Sequence, residues 1–121
     1  MNEESIKAWL IARDLDKDGV EYEKYSWAVD ALYDLAYEDP SQLLRNVVEI
    51  LSVDSSDKTC GALGAGVLEE LLVHQGEQCI DEIESIASRN LAFKSCFRFT
   101  FLDRDDVPAS VYTKVARLKG T

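Results

Sequence analysis

The chain has few of the residue patterns on which enzymes and membrane proteins depend. It contains no apolar run close to the ~20 residues that a membrane-spanning helix needs. Residues 1–5 are acidic and polar, unlike a secretion signal. The chain has one histidine and no glycine-rich phosphate loop, so the usual hydrolase, kinase and nucleotide-binding residues are missing. These absences predict a cytoplasmic protein that is not an enzyme and requires no cofactor.

Cysteine pairs at the spacing of a zinc site are also missing. The three cysteines, Cys60, Cys79 and Cys96, are far apart in the sequence and cannot all form disulfides. We expect reduced thiols that lie mostly in the core. The sequence therefore predicts no metal site built on cysteine.

Basic residues are scarce in the first three-quarters of the chain, and the net charge is −10. Residues 1–39 contain eleven acidic and four basic side chains, residues 40–90 contain nine and three, and residues 91–121 contain three and six. Excess negative charge repels nucleic acid and anionic lipid, and it attracts basic proteins, faster at low salt. The expected partner is therefore a basic protein, and neither nucleic acid nor a membrane.

Apolar residues recur at helical spacing along most of the chain, which predicts an all-α fold. A length of 121 residues suits one domain with a core that needs no disulfide or metal. Short helices and short loops favour a compact bundle of about six antiparallel helices. We expect these helices at about residues 3–15, 23–37, 40–51, 67–75, 77–89 and 108–118.

Several residues mark where these helices begin and end. Asp39 can cap the third helix, Pro40 fits its first position, and Gln42 can complete a capping box. Gly76 is expected to end the fourth helix. The polar stretch 54–59 is expected to form a loop that runs on to the glycines at 61, 64 and 66.

Residues 97–101 have two possible structures. Phe97, Phe99 and Phe101 alternate with polar residues, as in a strand. A lone strand would have nothing to pair with in this chain. We therefore favour a short helix over residues 91–97, followed by an irregular turn.

Asp14, Asp16 and Asp18, followed by Gly19, match the first half of a calcium-binding EF-hand loop. The match fails further on, because the twelfth position, which should be a bidentate glutamate, is Tyr25. The eighth position is Glu21 where an apolar residue is usual, and the chain has no second loop. A solvated acidic turn is the favoured interpretation, with calcium binding as the alternative.

Three carboxylates, Asp30, Asp34 and Glu38, are spaced four residues apart on the second predicted helix, beside Tyr33 and Tyr37. Like charges at this spacing destabilise a helix by roughly 0.2–0.5 kcal/mol per pair. No lysine or arginine lies between residues 25 and 44 to relieve the repulsion. The row is therefore a candidate docking surface for a basic partner, together with Asp14, Asp16 and Asp18.

Aromatic residues are concentrated in the N-terminal half of the chain. They include Trp9 and Trp27, and we expect most of the aromatic set to lie in the core. Any that are exposed beside the acidic row would be good interface anchors, because aromatic residues are enriched in binding hot spots.

Catalytic interpretations of Glu69, Glu70 and His74 are weaker than structural ones. The two glutamates have no nucleophile or metal ligand near them in the sequence. His74 is expected in the last turn of its helix, where the helix dipole favours a cation. A catalytic base would need a nucleophile or substrate within reach, so we predict no catalytic residues.

A motif spans residues 63–97. It reads L-G-A-G-x-L-E-x-L-L, then H-x-G, then I-x-x-I-E, with a following alanine and a later phenylalanine. Its positions here are Leu63, Gly64, Ala65, Gly66, Leu68, Glu69, Leu71, Leu72, His74, Gly76, Ile80, Ile83, Glu84, Ala87 and Phe93. In this motif the chain resembles a family of small bacterial helical domains of largely uncharacterised function. Where that family often has a tryptophan soon afterwards, this chain has Phe101.

The resemblance implies an immunity protein of a bacterial toxin–immunity pair, such as those of contact-dependent growth inhibition. Such a protein binds and neutralises one cognate toxin, and these toxins are often basic nucleases. A carboxylate-rich surface can compete for the groups with which a nuclease holds phosphate. The alternative function is a calcium-responsive or general protein-binding helical module that uses the loop from Asp14 to Asp18.

Overall fold

Amphipathic helices make up most of the chain, as the apolar spacing predicts. A computed structural model describes residues 1–120, and no strand occurs within that range. The all-α fold is confirmed, with eight α-helices where about six were expected: α1 (Glu3–Arg13), α2 (Val20–Glu23), α3 (Ser26–Glu38), α4 (Pro40–Val53), α5 (Asp57–Gly64), α6 (Val67–Ala87), α7 (Leu91–Cys96) and α8 (Ala109–Gly120). A 3₁₀ turn, Phe97–Phe99, follows α7. None of these helices has the length and apolar character to cross a bilayer.

The longest helix, α6, is the central element. It packs against α3, α4, α5, α7 and α8. Helix α1 packs mainly against α3. The buried side chains form one hydrophobic cluster, in which the largest fully buried ones are Phe93, Phe97, Leu32, Leu43, Leu44, Ile50, Leu63, Leu68, Leu71, Leu72 and Ile83. Full burial of one such side chain stabilises a fold by about 1.5–3 kcal/mol. The core thus holds α3 with its outer face directed away from α6.

Helix boundaries follow local capping chemistry where the sequence supplies it. The Asp39 carboxylate accepts the Gln42 backbone N–H at 3.2 Å, and Pro40 begins α4, as predicted. The predicted capping box does not form, because the Asp39 backbone N–H donates to the carbonyl oxygen of Leu35 and the Gln42 side-chain oxygen accepts from Arg45 instead. Other caps are Asn2 for α1, Ser56 for α5 and Asn90 for α7.

The predicted loop from residue 54 to the glycines is wrong, because residues 57–64 form α5. Ser56 caps this helix, and Gly61 and Gly64 lie inside it. A Cβ atom on Gly64 would lie 1.9 Å from the carbonyl oxygen of Cys96. Glycine at this position therefore permits the close approach of α5 and α7, and it does not break the helix.

The predicted helix boundary at Gly76 is confirmed to within one residue, because α6, which spans Val67–Ala87, consists of two helical segments joined by a kink at Gln75. The backbone bends at Gln75, whose φ of −139° and ψ of 27° are not helical. The Gln75 side-chain amide donates to the carbonyl oxygens of Ala36 and Tyr37, each at 2.9 Å. Gly76 itself is buried against Val111 of α8. Contacts with other helices keep the two halves of α6 together.

Two further segments differ in detail from their predictions. The helix expected from residue 23 begins at Ser26, because the short α2 and a turn come first. The helix expected over residues 91–97 is confirmed as α7, and the strand alternative for residues 97–101 is wrong. Asp103–Asp106 forms a turn before α8.

The three cysteines are free and buried, as expected. Burial raises the pKa of the Cys79 thiol to about 11, and it also raises the pKa of Cys96. Because the thiolate is the nucleophilic form, thiols in this state are unreactive. Their role is to fill the core.

Substituting Gly64→Ala should destabilise the fold by about 2–3 kcal/mol or more, because the new methyl group would overlap the Cys96 carbonyl. Gly61→Ala in the same helix is the matched control. Its Cβ would meet the Phe99 ring at 3.5 Å, an ordinary contact, so we expect a neutral effect or a gain of up to ~1 kcal/mol. Urea unfolding followed by circular dichroism measures both, and equal effects would contradict the close-approach explanation.

Candidate protein-binding surface

The outer face of α3 carries one row of side chains that point away from the core. Its inward residues, Ala28, Leu32 and Ala36, are fully buried. Four residues on the opposite side recur at three- and four-residue spacing, and we call them the acidic face: Trp27, Asp30, Asp34 and Glu38. All four are exposed. The predicted carboxylate row is therefore accessible to a partner.

The three carboxylates of the acidic face are not neutralised by the chain itself. Among residues 1–120, no ion pair or hydrogen bond engages Asp30, Asp34 or Glu38. Nearby acids behave differently, since Glu3 pairs with Lys7 and Glu21 pairs with Lys24. The acidic face thus combines mutual repulsion with full hydration, and a cationic group from another molecule would relieve the repulsion.

Trp27 belongs to this face and is one of the aromatic residues that lie outside the core. Its side chain is 46% exposed, whereas that of Trp9, which is in the core as expected, is 5% exposed. The sequence carries a signal for this difference, because residue 27 is three positions before Asp30 and therefore lies on the same side of the helix. A large, exposed indole beside carboxylates has the composition of an interface anchor.

The two tyrosines that flank the row have different environments. Tyr33 is half-buried, burial raises its pKa, and its hydroxyl lies against Gly66 at the start of α6. Tyr37 is exposed, and its hydroxyl donates a hydrogen bond to Glu70, which raises the pKa of Tyr37. Of the two predicted site tyrosines, Tyr37 is the one that a partner can reach easily.

Glu70 of α6 contacts Tyr37 of α3 and His74 of its own helix. Besides accepting from Tyr37, its carboxylate lies 3.0 Å from Nε2 of His74, whose ring centroid is 4.8 Å from that of Tyr37. Burial raises the pKa of the neighbouring Glu69 carboxyl, and the nearby backbone N–H of Phe101 opposes this shift. The contacts among Tyr37, Glu70 and His74 are therefore explained by a structural role.

The aspartate loop does not form a cluster of ligands. Asp14 pairs with Arg13 and Lys58, and these contacts lower its pKa to about 2. Asp16 accepts the backbone N–H of Asp18 at 3.0 Å, which fixes a local turn. Across the described range of the chain, no three Asp, Glu, His or Cys side chains are placed to hold an ion together. The geometry therefore gives no support to the calcium alternative.

Arg13 anchors this loop to α5. Its side chain is 11% exposed and donates to Asp14, to Asp54 at 3.3 Å, and to Thr59. Hydrogen bonds from Ser56 and then Thr59 lower the pKa of Asp54. Asp14 is thus held in a charge network of the fold, while Asp16 and Asp18 are exposed at the end of the loop.

Comparison with known proteins identifies one family model, described as a family of unknown function (DUF6869), which matches residues 16–120. This range includes the acidic face and begins after α1. Neither the curated proteins nor the solved structures contain a significant match.

The stability of the protein should fall as the pH drops from about 4 towards 2. The pKa values of Asp14 and Asp54 are lowered from 3.8 in the folded state, so both carboxylates stabilise the fold above that pH. Protonation removes this contribution. Asp54→Asn should flatten the decline measured by urea unfolding at several pH values. An unchanged slope in that variant would show that the Arg13 network does not govern acid stability.

Removing the central charge of the acidic face should stabilise the protein. Asp34→Asn relieves repulsion with both Asp30 and Glu38, which predicts a gain of roughly 0.4–1 kcal/mol at low salt. Glu3→Gln is the matched control, because it removes an attractive contact with Lys7 and should cost a few tenths of a kcal/mol or nothing. Thermal unfolding at 20 and 500 mM salt would measure both. Loss of stability in Asp34→Asn would refute the repulsion.

Proposed function

The chain belongs to DUF6869, a family of unknown function, and we propose that it is a protein-binding domain that neutralises a basic toxin. The proposal depends on one observation above the others. Asp30, Asp34 and Glu38 are exposed on one helix and lack cationic partners within residues 1–120.

An unneutralised row of like charges is a feature that folding alone does not favour. The repulsion destabilises the helical conformation of α3. Burial of Ala28, Leu32 and Ala36 on its inner side stabilises the helix despite this cost. Proteins commonly retain such destabilising arrangements where function requires them. A row of three carboxylates on one helix is suited to contact several cationic groups of another molecule.

The identity of the partner rests on the resemblance of residues 63–97 to small bacterial immunity-like domains. A nuclease toxin binds the phosphates of its substrate through basic groups. A rigid acidic helix can occupy those groups and exclude nucleic acid from them. The expected mode of action is thus occupation or flanking of the toxin's active site by the acidic face.

A catalytic role is not favoured by the surroundings of the reactive side chains. His74 contacts Glu70 and Tyr37 on an exposed helix surface, and these groups include no nucleophile. Glu69 is partly buried and has no nucleophile described beside it, and the three cysteines are buried with thiol pKa values raised by that burial. Binding therefore remains the better-supported class of function.

Charge reversal of the acidic face should abolish neutralisation of the toxin. The experiment mixes the protein with the toxin domain encoded by the neighbouring reading frame and measures association rate, affinity and rescue of growth. Asp30→Lys with Asp34→Lys should slow association by 10- to 1,000-fold at low salt and prevent rescue, because steering depends on complementary charge. The wild-type rate should fall steeply as salt increases.

The matched control is Asp103→Lys with Asp105→Lys, which makes the same change in net charge on the exposed turn before α8. This variant should bind and rescue nearly as well as the wild type. Equal losses in the two double variants would show that net charge, and not the acidic face, governs binding. No complex and no rescue with the wild-type protein would refute the toxin-neutralising function.

A further inference from the structure

A groove separates α1 from the N-terminal part of α3. The groove is open to solvent and has a volume of about 490 Å³. Its lining includes the apolar residues Ala8, Ile11, Tyr25 and Trp27 and the acidic residues Glu3 and Glu4. Ile11 is 42% exposed and Trp27 is 46% exposed, although both belong to helices that are otherwise packed. The lining combines apolar and charged side chains, as protein-binding sites commonly do.

The uncompensated charge around this groove is negative. Two lysines also line it, but Lys7 is 3.7 Å from Glu3 and Lys24 is 2.9 Å from Glu21. Glu4 at the rim has no ion-pair partner within residues 1–120, and neither has Asp30, one turn beyond Trp27. A segment that enters the groove therefore meets an apolar pocket first and carboxylates immediately afterwards.

The acidic face continues the groove along α3. Trp27 is followed by carboxylates three, seven and eleven residues later, at positions 30, 34 and 38. With a rise of 1.5 Å per residue, this row extends about 16 Å from the indole. The row matches a second helix laid alongside, whose side chains on one face recur at the same spacing.

We propose that this groove receives an amphipathic helix of the basic partner. One large apolar side chain of that helix lies between Ile11 and Trp27, and lysines or arginines on the following turns contact Asp30, Asp34 and Glu38. The inference rests on the proposed function only in taking the partner to be basic. It adds the secondary structure of the recognised segment and the residues that anchor it.

Two other occupants fit the surface less well. An added β-strand needs an exposed sheet edge, and residues 1–120 contain no sheet. A second copy of the chain carries a net charge of −10, so two copies repel each other. A basic helix from another protein satisfies both the apolar groove and the carboxylates.

The test uses a designed peptide, so that it does not depend on the toxin. The probe is a hydrocarbon-stapled helix of about 18 residues with one leucine followed by lysines at three, seven and eleven positions later. A stapled peptide of the same composition, with the lysines distributed around the helix, is the matched control. Binding is followed in ¹⁵N-labelled protein through backbone shifts and the indole N–H signal of Trp27.

We expect saturable shifts on α1 and α3, with binding at least tenfold tighter for the patterned peptide than for the control peptide. Trp27→Ser and the double variant Asp30→Lys with Asp34→Lys should each weaken binding at least tenfold. Leu91→Ser, which removes an apolar side chain that is 80% exposed on α7, should not. Thermal unfolding of each variant verifies that it is folded.

Equal binding of the two peptides, shifts centred elsewhere, or no saturable shift would overturn the inference. So would self-association through α1 and α3, measured by sedimentation at increasing concentration. A toxin complex that is unaffected by Trp27→Ser would refute the groove while leaving the proposed function intact. Patterned-peptide binding without any toxin complex would support the groove and refute the toxin as its partner.

Discussion

Burial of α6 among five other helices is the constraint on which the structure depends. Leu68, Leu71, Leu72 and Ile83 are fully buried along it, and each contributes about 1.5–3 kcal/mol through removal of apolar surface from water. This packing fixes α3 by its inner side and leaves the outer side free of contacts with the core. The stability supplied by α6 is what allows α3 to carry three repelling carboxylates.

Local features of the sequence were sufficient for much of the fold. Asp39 and Pro40 act within a few residues of their own position, so the start of α4 was predictable. The helical conformation of Gly64 in α5 was not, because this residue packs against the Cys96 carbonyl, which is distant in the sequence. The break in α6 was predictable from Gly76 to within one residue, but the hydrogen bonds of Gln75 to carbonyls of α3 were not. Sequence patterns assign glycine-rich and polar segments to loops, because the sequence does not show which other segment packs closely against them.

The candidate surface was predictable to a similar degree. Helical periodicity alone places Asp30, Asp34 and Glu38 on one side of α3, and the structure has them exposed. The same reasoning does not distinguish Tyr33, which contacts the start of α6, from Tyr37, which reaches Glu70. Nor can it reveal that Asp14 pairs with Lys58, because that contact requires α1 and α5 to be adjacent.

The motif over residues 63–97 and the acidic face occupy different parts of the molecule. The leucines and isoleucines of the motif lie in the core, and Gly64 permits a close helix contact, whereas the three carboxylates of the acidic face are exposed and make no ion pair within residues 1–120. The outer residues of α3 are therefore free to vary without repacking the interior. Substitutions in this single row would change the charge of one surface, while the buried framework continued to fold as before.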